Sequence, residues 1–146
     1  MSKLGTELEQ LVKAVQMTLK DSPNITIETN VKVKDTNGIK REIDVLVEDF
    51  NVLPCYRIAF ECKDYKRKLD IQIVDAVVGK FLDIPDISKK IIASTEGYTV
   101  SAKKKADKYN IELCTLSKQS IENILLDSIP ILSTTMKTEV IDALCG

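Results

Sequence analysis

The sequence predicts an α/β domain: a mixed β-sheet with helices packed against it. Two observations carry this. Apolar residues near the start recur at helical spacing, and the following stretches alternate apolar and polar as strands do. Further on, short apolar strands are separated by helical segments. The order is one helix, three strands with short connections, then helix, strand, helix, strand and two more helices. Strands joined by short connections form an antiparallel meander, whereas strands separated by helices are joined by crossovers, so the sheet is mixed. At 146 residues and 44% hydrophobic, the chain has the length of one domain and the means to bury a core. Aromatics are 5% and Trp is absent, so that core is mostly Ile, Leu and Val.

Leu8, Leu11, Val12, Val15 and Leu19 share one face of a helix over residues 3–20. Asp21-Ser22-Pro23-Asn24 breaks it. Ile25, Ile27, Val31 and Val33 mark a strand. Asp35-Thr36-Asn37-Gly38 reads as a hairpin-type turn, because Asn-Gly readily takes positive φ. Ile43, Val45 and Val47 alternate with Glu42, Asp44, Leu46 and Glu48 in a second strand. Residues 49–55 form a loop and 57–63 a third strand. After a charged loop, 64–70, the residues Val74, Val77, Val78 and Phe81 place a helix over 71–82. Lys90–Ser94 is a short buried strand. Thr99 caps a helix containing Val100, Ala102 and Ala106, and Ile111–Leu116 is the final strand. Residues 118–128 and 135–144 read as two further helices. Residues 1–117 therefore form the sheet domain, and 118–146 a helical extension packed on it. The stripe Ile121, Ile124, Leu125, Met136, Val140 and Ile141 caps the core or makes a homodimer contact.

Composition removes several kinds of chemistry. There is no His, and the 4 Cys stand apart at positions 55, 62, 114 and 145. Ser-His-Asp and Cys-His hydrolysis are thereby excluded, and neither a zinc site nor a disulfide framework is expected. A general base must be Lys, a carboxylate, Tyr, Cys or a water on a metal. No apolar run approaches the roughly 18 residues of a membrane span, and no signal-peptide pattern opens the chain. The expected location is the cytoplasm, with no membrane partner. The net charge of -1 conceals an uneven distribution. Residues 57–108 carry 12 Lys and Arg against 8 Asp and Glu, and residues 119–146 carry 1 Lys against 4 acids. A basic middle is compatible with phosphate binding on one face.

Glu61 and Lys63 are two apart on a predicted strand, so they project from one face while Ile58, Phe60 and Cys62 face the other way. Two charges projecting from one face of a strand rich in core residues are costly unless paired or bound to something. Asp44 lies on the preceding strand and can sit beside Glu61. Adjacent carboxylates repel, and a divalent cation removes that penalty. These residue types suit phosphodiester cleavage: hard oxygens for Mg²⁺, and a Lys to orient or deprotonate an attacking water and offset developing charge. Taken alone, a Glu-x-Lys pair is more often a solvated face or a cross-strand ion pair.

The stretch Arg41-Glu42-Ile43-Asp44-Val45 followed by Phe60-Glu61-Cys62-Lys63-Asp64-Tyr65 resembles the Mrr-like restriction endonuclease branch of the PD-(D/E)xK nuclease superfamily. The resemblance covers residues 5–116. It takes in Gly5-Thr6-Glu7-Leu8-Glu9, then Ile91-Ile92-Ala93-Ser94, Gly97-Tyr98, the Ala102/Ala106 spacing and Ile111-Glu112-Leu113. It implies a restriction-endonuclease-like αβββαβ core and a Mg²⁺-dependent nuclease acting on DNA, with Mn²⁺ as a substitute. Asp44, Glu61 and the backbone carbonyl of Cys62 would hold the metal, and Lys63 would serve the attacking water and the phosphate. Glu9 would match a first-helix acid that reaches the metal directly or through water. Gln72 resembles a polar residue some relatives use near the site. Relatives with that motif carry a tyrosine four residues on, where this chain has Ala76, and Ile43 stands where the superfamily name has proline.

Lys66, Arg67 and Lys68 could grip DNA phosphates, or simply form a solvated loop. Lys103, Lys104 and Lys105 span most of a helix circumference and read as a solvated face. Two other functions fit the same residues: a structure-selective, junction-resolvase-like nuclease, and a catalytically silent nucleic-acid-binding or assembly module. Retention of Asp44, Glu61 and Lys63 argues against the silent module. Either nuclease could be one part of a larger system with other subunits.

Overall fold

The computed structural model describes residues 2–63 and 65–129, with side chains from Glu7 onward. Its elements are α1 (Ser2–Leu19), β1 (Ile25–Lys34), β2 (Lys40–Asp49), β3 (Tyr56–Lys63), α2 (Ile71–Leu82), β4 (Lys89–Ser94), α3 (Val100–Lys108), β5 (Ile111–Thr115) and α4 (Lys118–Ser128). The order anticipated from periodicity is present through α4. The helix expected over 135–144 lies outside the described residues. Among those described, no helix is long and apolar enough to cross a membrane.

The five strands form one sheet in the order β1-β2-β3-β4-β5. β1, β2 and β3 run antiparallel, and β3, β4 and β5 run parallel, as connection lengths required. α1 and α4 cover one face, where Leu11, Val15, Ile121 and Leu125 pack against Val47, Ile58, Phe60 and Ile91. α2 and α3 cover the other, where Val74, Val77, Phe81 and Ala102 pack against Leu46, Ala59 and Ile92. β3 is therefore buried on both faces, which is why its run Ile58-Ala59-Phe60 is apolar without alternation.

Helix starts follow local polar chemistry. Asp70 caps α2 through Oδ1, which accepts from the N–H groups of Gln72 at 3.1 Å and Ile73 at 3.3 Å. Thr99 caps α3 by accepting from the Ala102 N–H at 3.2 Å, as its place in the sequence indicated. Tyr98 just before it is buried, and its hydroxyl lies 2.8 Å from the Ile92 carbonyl and 2.9 Å from that of Cys114. The phenol thus ties β4 to β5.

Of two local expectations, the hairpin turn is borne out with a longer loop, and the face of Ile43 is corrected. The β1–β2 turn is a five-residue loop, 35–39, in which only Gly38 has positive φ (79°). Asp35 organises it, its Oδ1 accepting from the N–H groups of Asn37 and Ile39, each at 2.9 Å. Second, Ile43 does not share a face with Val45 and Val47. Ile25, Ile27, Val45 and Val47 pack toward α1 and α4, whereas Val31, Val33 and Ile43 pack toward α2 and α3. Strict alternation would put them all on one side. The change occurs where pairing runs from Thr29↔Val45 to Val31↔Ile43 and skips the pair between. At that step Asn30 takes φ of 50°, a left-handed conformation that Asn tolerates better than most residues. The residue across from Asn30 is Asp44.

Candidate active site

Asp44 and Glu61 come from adjacent strands. The β2–β3 register ends at Val45↔Phe60, and one further step along it brings Asp44 beside Glu61. There a side chain takes over from the ladder: the Cys62 N–H donates to Asp44 Oδ2 at 2.8 Å. The carboxylate is thereby anchored on the backbone of β3, one residue beyond Glu61. Phe60 and Cys62 belong to the core under α1 and α4, so Glu61 projects to the α2 side, where it is 2% exposed. Burial pushes its carboxyl up to about 7, with the Lys80 ammonium opposing the rise and the neighbouring Asp44 carboxylate adding to it.

Lys63 follows on the face of Glu61 by the same alternation. It is half-buried and makes no ion pair among the described residues.

The structure adds a residue that motif and periodicity do not mark. Lys80, from the last turn of α2, places its ammonium against the Glu61 carboxylate and the Glu42 carbonyl. In sequence it looks like an ordinary basic residue near a helix C-terminus, where a cation is favourable on dipole grounds alone. The available signal was its position beside core residues Val77, Val78 and Phe81, as the lone cation of that helix.

The other candidates lie around this centre. Glu9 is exposed on α1 and borders a groove with Leu8, Val12, Asn30 and Thr29. Among the described residues, no three Asp, Glu, Cys or His side chains form a metal-sized cluster, so Glu9 is not brought to the Asp44–Glu61 pair. Gln72 is exposed in the first turn of α2. Lys66, Arg67 and Lys68 are exposed in the loop after β3. Arg67 is partly engaged, with Nη1 3.1 Å from Oδ2 of the capping Asp70. On α3, Lys105 pairs with Asp75 at 3.0 Å, which joins α3 to α2.

A five-stranded sheet with antiparallel and parallel halves and helices on both faces is a restriction-endonuclease-like fold. The family model described as restriction endonuclease, the Mrr catalytic domain, matches residues 5–119, and the chain belongs to that family. No curated protein sequence matches the chain. Solved structures share the fold. A protein of unknown function, AF1548, superposes with a TM-score of 0.62 at 23% identity over 84% of this chain. Can2 from Sulfobacillus thermosulfidooxidans, solved with cyclic tetra-adenylate, gives 0.65 at 17% over 84%. VC1899 from Vibrio cholerae gives 0.61 at 14% over 84%. This chain spans 65%, 35% and 33% of those chains respectively.

Proposed function

We propose that this domain is a divalent-metal-dependent deoxyribonuclease that hydrolyses DNA phosphodiester bonds, with Asp44, Glu61 and Lys63 at its centre. The observation that carries the reading is the Asp44 carboxylate, anchored on the Cys62 N–H and in contact with a nearly inaccessible Glu61 carboxylate. Two carboxylates held together in a shielded place call for positive charge, of which Lys80 supplies one unit and a shared divalent cation would supply the rest.

The donor set fits Mg²⁺ or Mn²⁺. Asp44 and Glu61 offer hard oxygens, the Cys62 carbonyl would be a third donor as the family resemblance implies, and Mg²⁺ is commonly held by one or two carboxylates while it keeps waters. A cation held there would supply Lewis-acid polarisation of the scissile phosphate and a more acidic water. The chain's own residues do the rest. The Cys62 N–H fixes the aim of Asp44, the α2 layer keeps bulk water from Glu61, and Lys63 carries positive charge to the face where the phosphate sits. As charge accumulates on the phosphate oxygens, the Lys63 ammonium stabilises it and orients the attacking water, whereas in its neutral amine form Lys63 would instead take that water's proton. Lys66 and Lys68 hold backbone phosphates of the same strand. Gln72 adds a hydrogen bond on the substrate side, and Glu9 acts at most through water.

The test is a cleavage panel of linear, supercoiled, methylated, single-stranded and branched DNA with Mg²⁺, with Mn²⁺ and with chelator. Cleavage that needs the metal and vanishes in Asp44→Ala is expected on at least one substrate. Absence of any metal- and Asp44-dependent cleavage across the panel would overturn the reading.

A further inference from the structure

Lys80 is placed by the fold, not by chance contact of a mobile side chain. Its neighbour Phe81 is 2% exposed in the core. Just beyond, the Asp83 carbonyl accepts from the Thr36 N–H at 2.8 Å, which clamps the end of α2 to the β1–β2 loop. The stem of Lys80 therefore leaves a fixed backbone and delivers its ammonium to Glu61 and the Glu42 carbonyl. The side chains of the pair are 20% and 3% exposed, so water screens the contact weakly. Asp44, one step past the last β2–β3 pair, lies beside Glu61. The centre thus contains two carboxylates, and two ammonium groups, Lys80 and Lys63, within its own residues.

That balance has a consequence for the metal. Two carboxylates alone would attract a divalent cation strongly. With Lys80 already against one of them, an incoming dication meets a neutralised site and an ammonium a few ångströms away, and like charges at that range repel appreciably in a shielded setting. An additional negative group is needed to restore the balance, and the DNA backbone phosphate is the one the proposed reaction brings.

Resting on the nuclease reading above, we propose that Lys80 is a resident counter-cation of the Asp44–Glu61 pair, and that it makes divalent-metal loading depend on the arrival of a DNA phosphate. The free domain then holds metal weakly and does not carry a loaded centre between substrates. Lys80 acts through Glu61 and the metal and is a positioning residue.

Mn²⁺ binding, measured by calorimetry on the whole chain with and without a phosphorothioate-substituted duplex, tests this without relying on cleavage. The wild type should bind Mn²⁺ more tightly when the duplex is present. Lys80→Met should bind Mn²⁺ at least about tenfold more tightly than wild type in the absence of DNA, the scale expected from removing a unit charge so close. Lys80→Gln, which keeps a donor without the charge, should do the same and serves if the Met variant is poorly folded. Lys80→Arg should behave as wild type. Equal or weaker Mn²⁺ binding by the neutral variants, or wild-type binding indifferent to the duplex, would overturn the role of Lys80 while leaving the metal site standing. If no variant binds Mn²⁺ in a manner lost with Asp44→Ala, the metal site itself fails and this role goes with it.

Discussion

Lys63 and Glu61 stand two residues apart on β3 and face the same side, yet they make different demands on experiment. Lys63 is assigned to the charge that develops during cleavage. Lys63→Ala should therefore lower single-turnover cleavage by about a hundredfold or more while leaving the fold and most DNA binding intact. Lys63→Arg keeps the charge and cannot act as a base, so near-native cleavage by that variant would limit Lys63 to an electrostatic role. Retained cleavage in Lys63→Ala, in proportion to folded protein, would remove Lys63 from the reaction. Glu61 makes a prediction about stability. Its carboxyl is raised from 4.5 to about 7, chiefly by burial. The folded state then holds a proton more tightly than the unfolded state, so the contribution is fully present below 4.5 and is lost as pH rises through 7. In chelator, the metal-free domain should lose stability across that window, by on the order of 3 kcal/mol, since each tenfold difference in proton affinity between the two states is worth roughly 1.4 kcal/mol. Glu61→Gln should flatten this slope in denaturant melts, and an unchanged slope would show that another group titrates. Alternation along β3 was enough to put Glu61 and Lys63 on one face, whereas Asp44 was marked by its place on the neighbouring strand and by the family resemblance, not by alternation. Lys80 was not legible in the sequence, since only the crossing of α2 over the sheet decides which strand residue its ammonium meets.

At the scale of elements, every helix and strand through α4 could be placed from periodicity, breakers and caps. Thr99 was legible as a cap because a β-region hydroxyl residue before a helical pattern satisfies an otherwise orphaned N–H. Alternation failed in one place, within the β1–β2 hairpin, and the failure is instructive. Ile43 and Val45 are both fully buried, on opposite faces, because the ladder is interrupted at Asn30 and Asp44. Nothing in the pattern Ile-x-Val distinguishes this from an ordinary strand; the cause is the single left-handed residue on the neighbouring strand. The interruption also frees Asp44 from ladder pairing and lets its side chain reach the Cys62 N–H. Asn30 is exposed, so substitutions there probe backbone conformation more than packing. Asn30→Val should destabilise the domain by about 1–2 kcal/mol, the usual cost of a left-handed conformation for such a residue. Asn30→Gly should be near neutral or mildly stabilising. Equal stability of the Val and Gly variants in urea titrations would mean that the left-handed residue does not hold the interruption.

Across the whole molecule, the two helical layers divide the labour. α1 and α4 seal one face around Phe60 and Ile91, while α2 brings a charged residue to the other face and its N-terminal end abuts the basic loop that follows β3. The chain's net charge of -1 therefore says little about the surface a nucleic acid would meet. In that loop the three cations are not equivalent. Arg67 shares its charge with Asp70, which is itself occupied in capping α2. Lys66 and Lys68 are exposed and make no ion pair among the described residues, so they are the ones available to displace counterions from DNA. Phosphate contacts made by such side chains act without regard to sequence, and each lowers the slope of log binding constant against log salt by about 0.9 for duplex DNA. The double variant Lys66→Ala/Lys68→Ala should therefore reduce the magnitude of that slope by about 2 and weaken binding similarly on unrelated duplexes. Helix content and melting temperature should stay at wild-type values, because neither side chain joins a core or a cap. Arg67→Ala should give a smaller change in slope together with a modest loss of stability from the altered Asp70 cap. An unchanged salt slope in the double variant would place the DNA backbone elsewhere on the surface, and a sequence-dependent loss of binding would mean that the loop reads bases.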